Sequence, residues 1–460
     1  MNFKFFQKNG PDTTNQKIFR AALVVGFLGL IAKMAATLKE LIIARSFGRG
    51  DEVDAFLIAF VLPAFVLNIG MSALGAALVP VFVETRQKFG AEPANELLAN
   101  IMLLGSGALI AVAALLGLFA PLYLPLLGHS FPAAKLGLTR ELLYLLLPWI
   151  IFSGIATLVA AVLNASEKFA VPAATPFLTS SVTIGIVLLG SHRWGIFTLA
   201  VGAVTGSLLE AILLLYFLKR QGLRLTLHWH GFNAQVRNVL AQYAPMLAGG
   251  VLMGMTAVVD QAMAAMLPAG SVAALGYANK IINGIVTLGA LALSTATLPY
   301  FSRMVAANDW AGCRHTLKRY SVLVAGAAVP FTLLVIAFSR PIVRFLYQRG
   351  AFTAADTELV SWVQVCYAIQ IPFYVWSMLF VRFITSIRRN DVLMYISAIN
   401  LALDIVLNLV LMRVWHVAGI ALSTSIVYIV LFLMVSIWSV KFLAQEHLYS
   451  LPAVHVEAPR

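Results

Sequence analysis

The chain has 460 residues, 61% of them hydrophobic and 11% charged, with a mean hydropathy of +0.90. A soluble chain of this size covers its surface with about 25% charged residues, so this inventory excludes a soluble two-domain enzyme, a disordered chain, a collagen and a disulfide-stapled domain. The net charge of +13 is the loop bias of an integral membrane protein rather than a nucleic-acid surface, and Cys313 and Cys366 form no CxxC.

A membrane-spanning helix needs about 20 mostly apolar residues. After a polar segment, 1–18, with no cleavage site of a removable signal peptide, twelve such stretches follow in order. They cover 19–45, 53–84, 95–120, 138–164, 170–190, 194–218, 237–267, 271–302, 315–346, 357–386, 391–412 and 416–443. The first six form an N-lobe, 19–220, and the last six a C-lobe, 237–445. Between them lies the linker 221–236, inside a basic stretch from Lys219 to Arg237 that holds Leu223, Leu225, Leu227 and Trp229 between its charges; a headgroup-lying segment and an ordinary solvated loop fit it equally. Residues 446–460 form a tail. The expected fold is therefore all-α and polytopic, with about twelve transmembrane helices in two pseudo-symmetric lobes. With the N-terminus inside, 20 Lys and Arg fall on the cytoplasmic side and 9 on the other, which predicts both termini cytoplasmic.

Internal similarity supports two halves. Asp54 through Ala77-Leu78-Val79-Pro80-Val81-Phe82 recurs as Ala273 through Ala296-Thr297-Leu298-Pro299-Tyr300-Phe301, an offset of 219, and Trp194-Gly195-Ile196 anticipates Trp415 to Ile420. Repeats in one orientation imply a pseudo-two-fold axis along the membrane normal.

Charges at bilayer depth cost several kcal/mol when they face lipid, so each needs a partner or a cavity. Lys33, Lys39 and Glu40 fall in the first span and Lys280 in the eighth. Lys39 is nine residues from Gly48 and Lys280 ten from Gly270, so the two ammonium groups share a depth. Cations from both halves converging on a central cleft suit a phosphate or pyrophosphate, with Glu40 neutralising Lys33 when the cleft is empty. Snorkelling to the interface is the plainer account of Lys39. Asp260, Asn400, Asp404 and Thr424 reach a common depth on three spans of the C-lobe, and their oxygens suit a small hard cation. Two other readings fit the same residues: a satisfied polar cluster joining three helices, and an Asp260 to Lys280 pair. Asp51-Glu52-Val53-Asp54 reads as a helix N-terminal cap. The sequence has no HExxH, P-loop, strand-borne GxGxxG or nucleophile elbow, which argues against an enzyme.

Lys39-Glu40-Leu41-Ile42-Ile43-Ala44-Arg45-Ser46-Phe47-Gly48, then Val53-Asp54-Ala55-Phe56 and Leu78-Val79-Pro80-Val81-Phe82, resemble the opening helices of the MurJ/MviN lipid II flippases, in the multidrug/oligosaccharidyl-lipid/polysaccharide exporter superfamily. Tyr277-Ala278-Asn279-Lys280, Phe345-Leu346-Tyr347-Gln348-Arg349-Gly350-Ala351-Phe352-Thr353 and Gly419-Ile420-Ala421-Leu422-Ser423 continue the resemblance in order. It implies a non-enzymatic transporter of the bacterial inner membrane. Such a transporter moves an undecaprenyl-pyrophosphate-linked saccharide to the outer leaflet by alternating access, among membrane lipids, without nucleic acid and as a monomer. The family's cavity arginines correspond to Lys33, Lys39 and Lys280, its first periplasmic-side Asp to Asp54, and Glu40 and Asn279 adjoin that set. Its sodium site would place Asp260, Asn400, Asp404 and Thr424 as side-chain ligands and Ile420 as a backbone one, a sodium ion being the only cofactor implied. The chain departs from the family at its second-helix arginine, where Leu67 and Asn68 stand, in using Lys for Arg, and in showing twelve spans where fourteen are usual. An exopolysaccharide or O-antigen precursor flippase and a cation-coupled multidrug exporter are the alternatives.

Overall fold

The computed structural model describes residues 14–221, 228–229, 231–387 and 389–449. The expected segment 1–18 up to residue 13, linker residues 222–227 and 230, Arg388, and the tail from 450 lie outside the described residues. Within them the chain is helical and no strand occurs.

The helices follow the apolar stretches. They are α1 (Thr14–Phe47), α2 (Asp51–Phe89), α3 (Ala91–Leu127), α4 (Ala133–Ala165), α5 (Ala170–Trp194), α6 (Phe197–Arg220), α7 (Ala234–Ala264) and α8 (Ser271–Ala306). After them come α9 (Trp310–Ala337), the short α10 (Ser339–Tyr347), α11 (Ala354–Ser386), and α12 and α13, residues 390–415 and 417–449. Nine helical segments of the described residues are long and apolar enough to cross a membrane, the last of them containing both α12 and α13. Helices suit that role because every backbone donor finds its acceptor inside the segment. The expected ninth span, 315–346, is not one helix: it stops at Phe338, and Ser339-Arg340-Pro341 restarts the chain as α10. Pro341 stands in the first turn of α10, where its missing N–H leaves no helical hydrogen bond unmade.

Helix ends are marked by local chemistry. Asp309 caps α9, its side chain accepting from the Gly312 amide at 2.8 Å, and Thr353 and Asp356 form a reciprocal capping box at the start of α11. The repeat is also visible in the backbone. Positive-φ breaks at Gly48, Gly90 and Gly195 recur at Gly270, Asn308 and His416, offsets of 222, 218 and 221. Gly195 (φ 51, ψ −135) and His416 (φ 49, ψ −131) share one conformation, which explains why α12 and α13 meet at the position where α5 and α6 do.

The chain divides into two compact units. Of the described residues, one comprises those within 14–43, 66–119 and 142–247, the other those within 44–65, 120–141 and 248–449. In the first, Leu78, Phe82, Leu97, Ile101, Leu158 and Val162 build a core among α2, α3 and α4. In the second, Phe301, Cys313, Leu379, Phe383 and Val435 pack together, with Trp376 stacked on Phe432 at 5.1 Å. Large apolar side chains such as Leu118, Leu189 and Phe345 stay exposed, as lipid-facing residues do.

Inside the second unit two of the sequence motifs interlock. The Ala351 amide donates to the Arg45 carbonyl at 2.9 Å, and the Tyr277 hydroxyl donates to the Gly48 carbonyl at 2.9 Å. Gly48 has φ +61, and a Cβ there would stand 2.5 Å from the Ala351 carbonyl oxygen. Gly48→Ala is expected to cost about 2–4 kcal/mol, from the left-handed backbone and the overlap together. Gly26→Ala, whose Cβ meets nothing within 4 Å, is expected to be neutral. Thermal unfolding of the two variants side by side checks the contrast.

Candidate functional site

The acidic residues at the start of α2 act on another helix. Asp54 is buried, and its carboxylate accepts from the amides of Gly270 at 2.6 Å and Ala273 at 2.8 Å, at the N-terminus of α8. Orphan amides and the helix dipole make such a terminus a natural partner for a carboxylate. Lys135 completes the cluster, with Nζ 3.1 Å from Asp54, 2.5 Å from Asp51 and 3.9 Å from the centre of the Phe131 ring. Nearby, Arg49 pairs with Asp356 at 2.8 Å and donates to the Ala269 carbonyl at 3.2 Å. The capping role expected for this acidic run is real, but its object is α8, more than 200 residues away. Lys135, which falls between the expected spans 95–120 and 138–164, stands in the first turn of α4.

Of the residues expected at one depth, Asp260, Asp404 and Thr424 are neighbours in the second unit, and Asn400 is buried one turn before Asp404. Asp260 of α7 accepts from Asn408 Nδ2 at 2.7 Å and from Thr424 Oγ1 at 3.2 Å. The Thr424 hydroxyl also lies 3.2 Å from the Ile420 carbonyl, and Ser423 Oγ stands 3.2 Å from Asp404 Oδ1. Asp260 thus takes Asn408 and Thr424 as hydrogen-bond partners rather than Lys280. Three buried oxygens, Asn400 Oδ1, Asp404 Oδ2 and Asn408 Oδ1, find no donor among the described residues. An ionised carboxylate only accepts, so adding more oxygens around it increases the demand for a cation. The donor set is two carboxylates, amide oxygens, hydroxyls and one carbonyl, with no metal-type cluster of three His, Cys, Asp or Glu among the described residues. It fits a small hard cation such as sodium. The same bonds also join α7, α12 and α13, as a purely structural cluster would. Sequence reasoning missed Asn408 and Ser423. Asn408 was within reach, since Asn400, Asp404 and Asn408 continue one i,i+4 stripe.

The basic residues fall in different units: Lys33, Lys39 and Glu40 in the first, Asn279 and Lys280 in the second. Lys33 is exposed and makes no ion pair among the described residues, while Glu40 pairs with its neighbour Lys39 at 3.6 Å. The expected Glu40 to Lys33 pairing is not formed, because seven residues separate the two by about 10 Å along a helix. Asn279 is half-buried, and Lys280 is exposed with Nζ 5.8 Å from the Tyr277 ring centre. A further intramembrane acid, Glu210 of α6, escaped the sequence reading; it accepts from Thr179 Oγ1 at 2.7 Å.

Known proteins share this fold. The profile of the family described as Lipid II flippase MurJ matches residues 43–452. A probable lipid II flippase MurJ of Rickettsia prowazekii is 24% identical over 413 residues, 89% of this chain and 81% of the relative. Its counterpart in Synechocystis is 26% identical, over 89% of this chain and 79% of the relative. Among solved structures, a lipid II flippase MurJ in an inward closed conformation superposes with a TM-score of 0.75 at 23% identity, covering 94% of this chain and 93% of the other. An inward-facing multidrug resistance MATE family transporter of the MOP superfamily gives 0.74 at 13% identity, over 94% and 100%. At these identities the structural likenesses establish the fold, while the profile covers most of the chain, and the protein belongs to the lipid II flippase MurJ family.

Proposed function

We propose that this chain is a flippase that carries a pyrophosphate-linked lipid saccharide, lipid II or a close analogue, from the inner to the outer leaflet of the bacterial inner membrane by alternating access, with both termini cytoplasmic. The observation that carries the proposal is the family match over residues 43–452. Lys33, Lys39 and Lys280 are the proposed contacts to the pyrophosphate, with Asn279 as a neutral donor beside Lys280. Lysine offers a compact charge in place of a bidentate fork, which lowers geometric selectivity and leaves the attraction to phosphate intact. Asp260, Asn400, Asp404, Thr424 and the Ile420 carbonyl would hold a sodium ion, whose charge would satisfy the two carboxylates; Asn408 and Ser423 keep those carboxylates oriented. A multidrug exporter rests on fold likeness to the MATE structures alone.

In proteoliposomes containing fluorescent lipid II, Lys39→Ala and Lys280→Ala are each expected to lower translocation at least tenfold, and Lys39→Arg to retain it. Size-exclusion profiles unchanged from the parent would show that folding is intact. Full activity in both alanine variants would overturn the assignment.

A further inference from the structure

Glu210 is the fourteenth residue of the 24-residue α6, so its carboxylate lies near the middle of that span. An acid at such a depth costs several kcal/mol if it faces hydrocarbon, and it marks a site when it opens on a cavity. Among the described residues it receives one hydrogen bond, from Thr179, and makes no ion pair. It borders a cavity of about 870 Å³ within the first unit, walled by α2, α4, α5 and α6. That volume lies in the range of small-molecule sites, about 300–1,000 Å³.

The lining specifies the occupant. Leu67, Met71, Val79 and Trp149 give it apolar walls. Its three threonine hydroxyls have committed their protons: Thr157 donates to the Ser153 carbonyl at 2.8 Å, Thr175 to the Pro172 carbonyl at 3.2 Å, and Thr179 to Glu210. What each of them can still offer a ligand is oxygen lone pairs. The cavity therefore combines an apolar body, threonine oxygens that can only accept and one negative charge, Glu210 being the one ionisable residue of its lining. A phosphate or pyrophosphate is repelled by that combination, and a neutral lipid chain leaves the carboxylate unanswered. A protonated amine on an apolar skeleton answers both: its N–H groups donate to Glu210 and the threonine oxygens, while its body covers the walls and Trp149.

We propose that this cavity is a binding site for amphiphilic ammonium compounds, with Glu210 as the counter-ion and Thr179 as the residue that orients it. Lys33, Lys39 and Lys280 are not among its lining residues, and its charge is opposite to theirs. The ammonium group has two sources, a soluble amphiphilic amine or the headgroup of an ethanolamine lipid.

The test uses the full chain in phosphatidylcholine nanodiscs, with a dansyl-tagged octylamine as probe and the dansyl-tagged octanol of equal length as its neutral counterpart, each measured over empty nanodiscs. Saturable binding of the amine is expected, at least tenfold tighter than that of the alcohol. Glu210→Gln should weaken the amine tenfold or more and leave the alcohol unchanged, Glu210→Asp should restore part of the affinity, and Thr179→Val should weaken the amine several-fold. Ala160→Phe, which fills the cavity and keeps the carboxylate, should abolish binding and serves if Glu210→Gln is not monodisperse. Displacement of the amine by added phosphatidylethanolamine identifies a headgroup as the native occupant, and persistence of binding identifies a soluble amine; both uphold the site. Equal binding of amine and alcohol, or amine binding unchanged in a monodisperse Glu210→Gln and in Ala160→Phe, would overturn it.

Discussion

Asp54→Ala is expected to destabilise the second unit by about 3–5 kcal/mol, the cost of removing one member of a buried charge pair. The substitution leaves Lys135, whose side chain is 7% exposed, without its buried partner, and frees the Gly270 and Ala273 amides at the start of α8. Asp51 makes the shorter contact to the same ammonium, at 2.5 Å, yet its side chain is 61% exposed. An exposed pair contributes about 0–1 kcal/mol, because water and salt already screen it. Asp51→Ala is therefore expected to shift the melting temperature little, although distance alone would rank it first. Lys135→Met should cost less than Asp54→Ala, since the remaining carboxylate keeps two amide donors. Combined with Asp54→Ala it should cost less than the sum of the two, as members of one network are not additive. Thermal unfolding of the four proteins measures the cycle. Equal losses for Asp51→Ala and Asp54→Ala would refute the assignment of Asp54 as the tie between α2, α4 and α8.

Asp404→Asn is expected to remove sodium-dependent stabilisation. With sodium at a hundred times its dissociation constant, the parent protein should gain about 2.7 kcal/mol. The variant should melt at one temperature with sodium or with an equal concentration of choline. The reason is electrostatic: Asp404 and Asp260 supply the negative charge of the oxygen cluster, and an amide in place of either removes half of it. Asn400→Ala removes a neutral oxygen and should weaken sodium binding without abolishing it. A parent melting curve indifferent to sodium would leave the cluster as helix-joining hydrogen bonds only.

The helices were legible because membrane solvent makes the problem local. Each span must be apolar along its whole length and must satisfy its own backbone, so composition in a sliding window carries the answer. The break at Phe338 was not legible, since a window of about 20 residues averages Ser339-Arg340-Pro341 into the apolar stretch before it. The repeat showed faintly in residues such as Trp194 and Trp415, and more plainly in the positive-φ breaks that only coordinates reveal. At the oxygen cluster, a shared depth count singled out Asp260, Asn400, Asp404 and Thr424, because helical rise converts residue number into height. Rise says little about azimuth, and the count could not distinguish a partner in Asn408 from one in Lys280.

By itself, then, the sequence determined the solvent, most of the helical stretches, the twofold internal pattern and the family, all of which follow from local composition and ordered motifs. Only the tertiary structure decided which charges meet. Asp54 finds its partners 81 to 219 residues away, and Glu210 finds Thr179 on the preceding helix. A carboxylate in an apolar run is silent in sequence about what it faces, because facing is set by the packing of several helices at once. The 11% of residues that are charged had to be placed in space before any of them could be assigned a role.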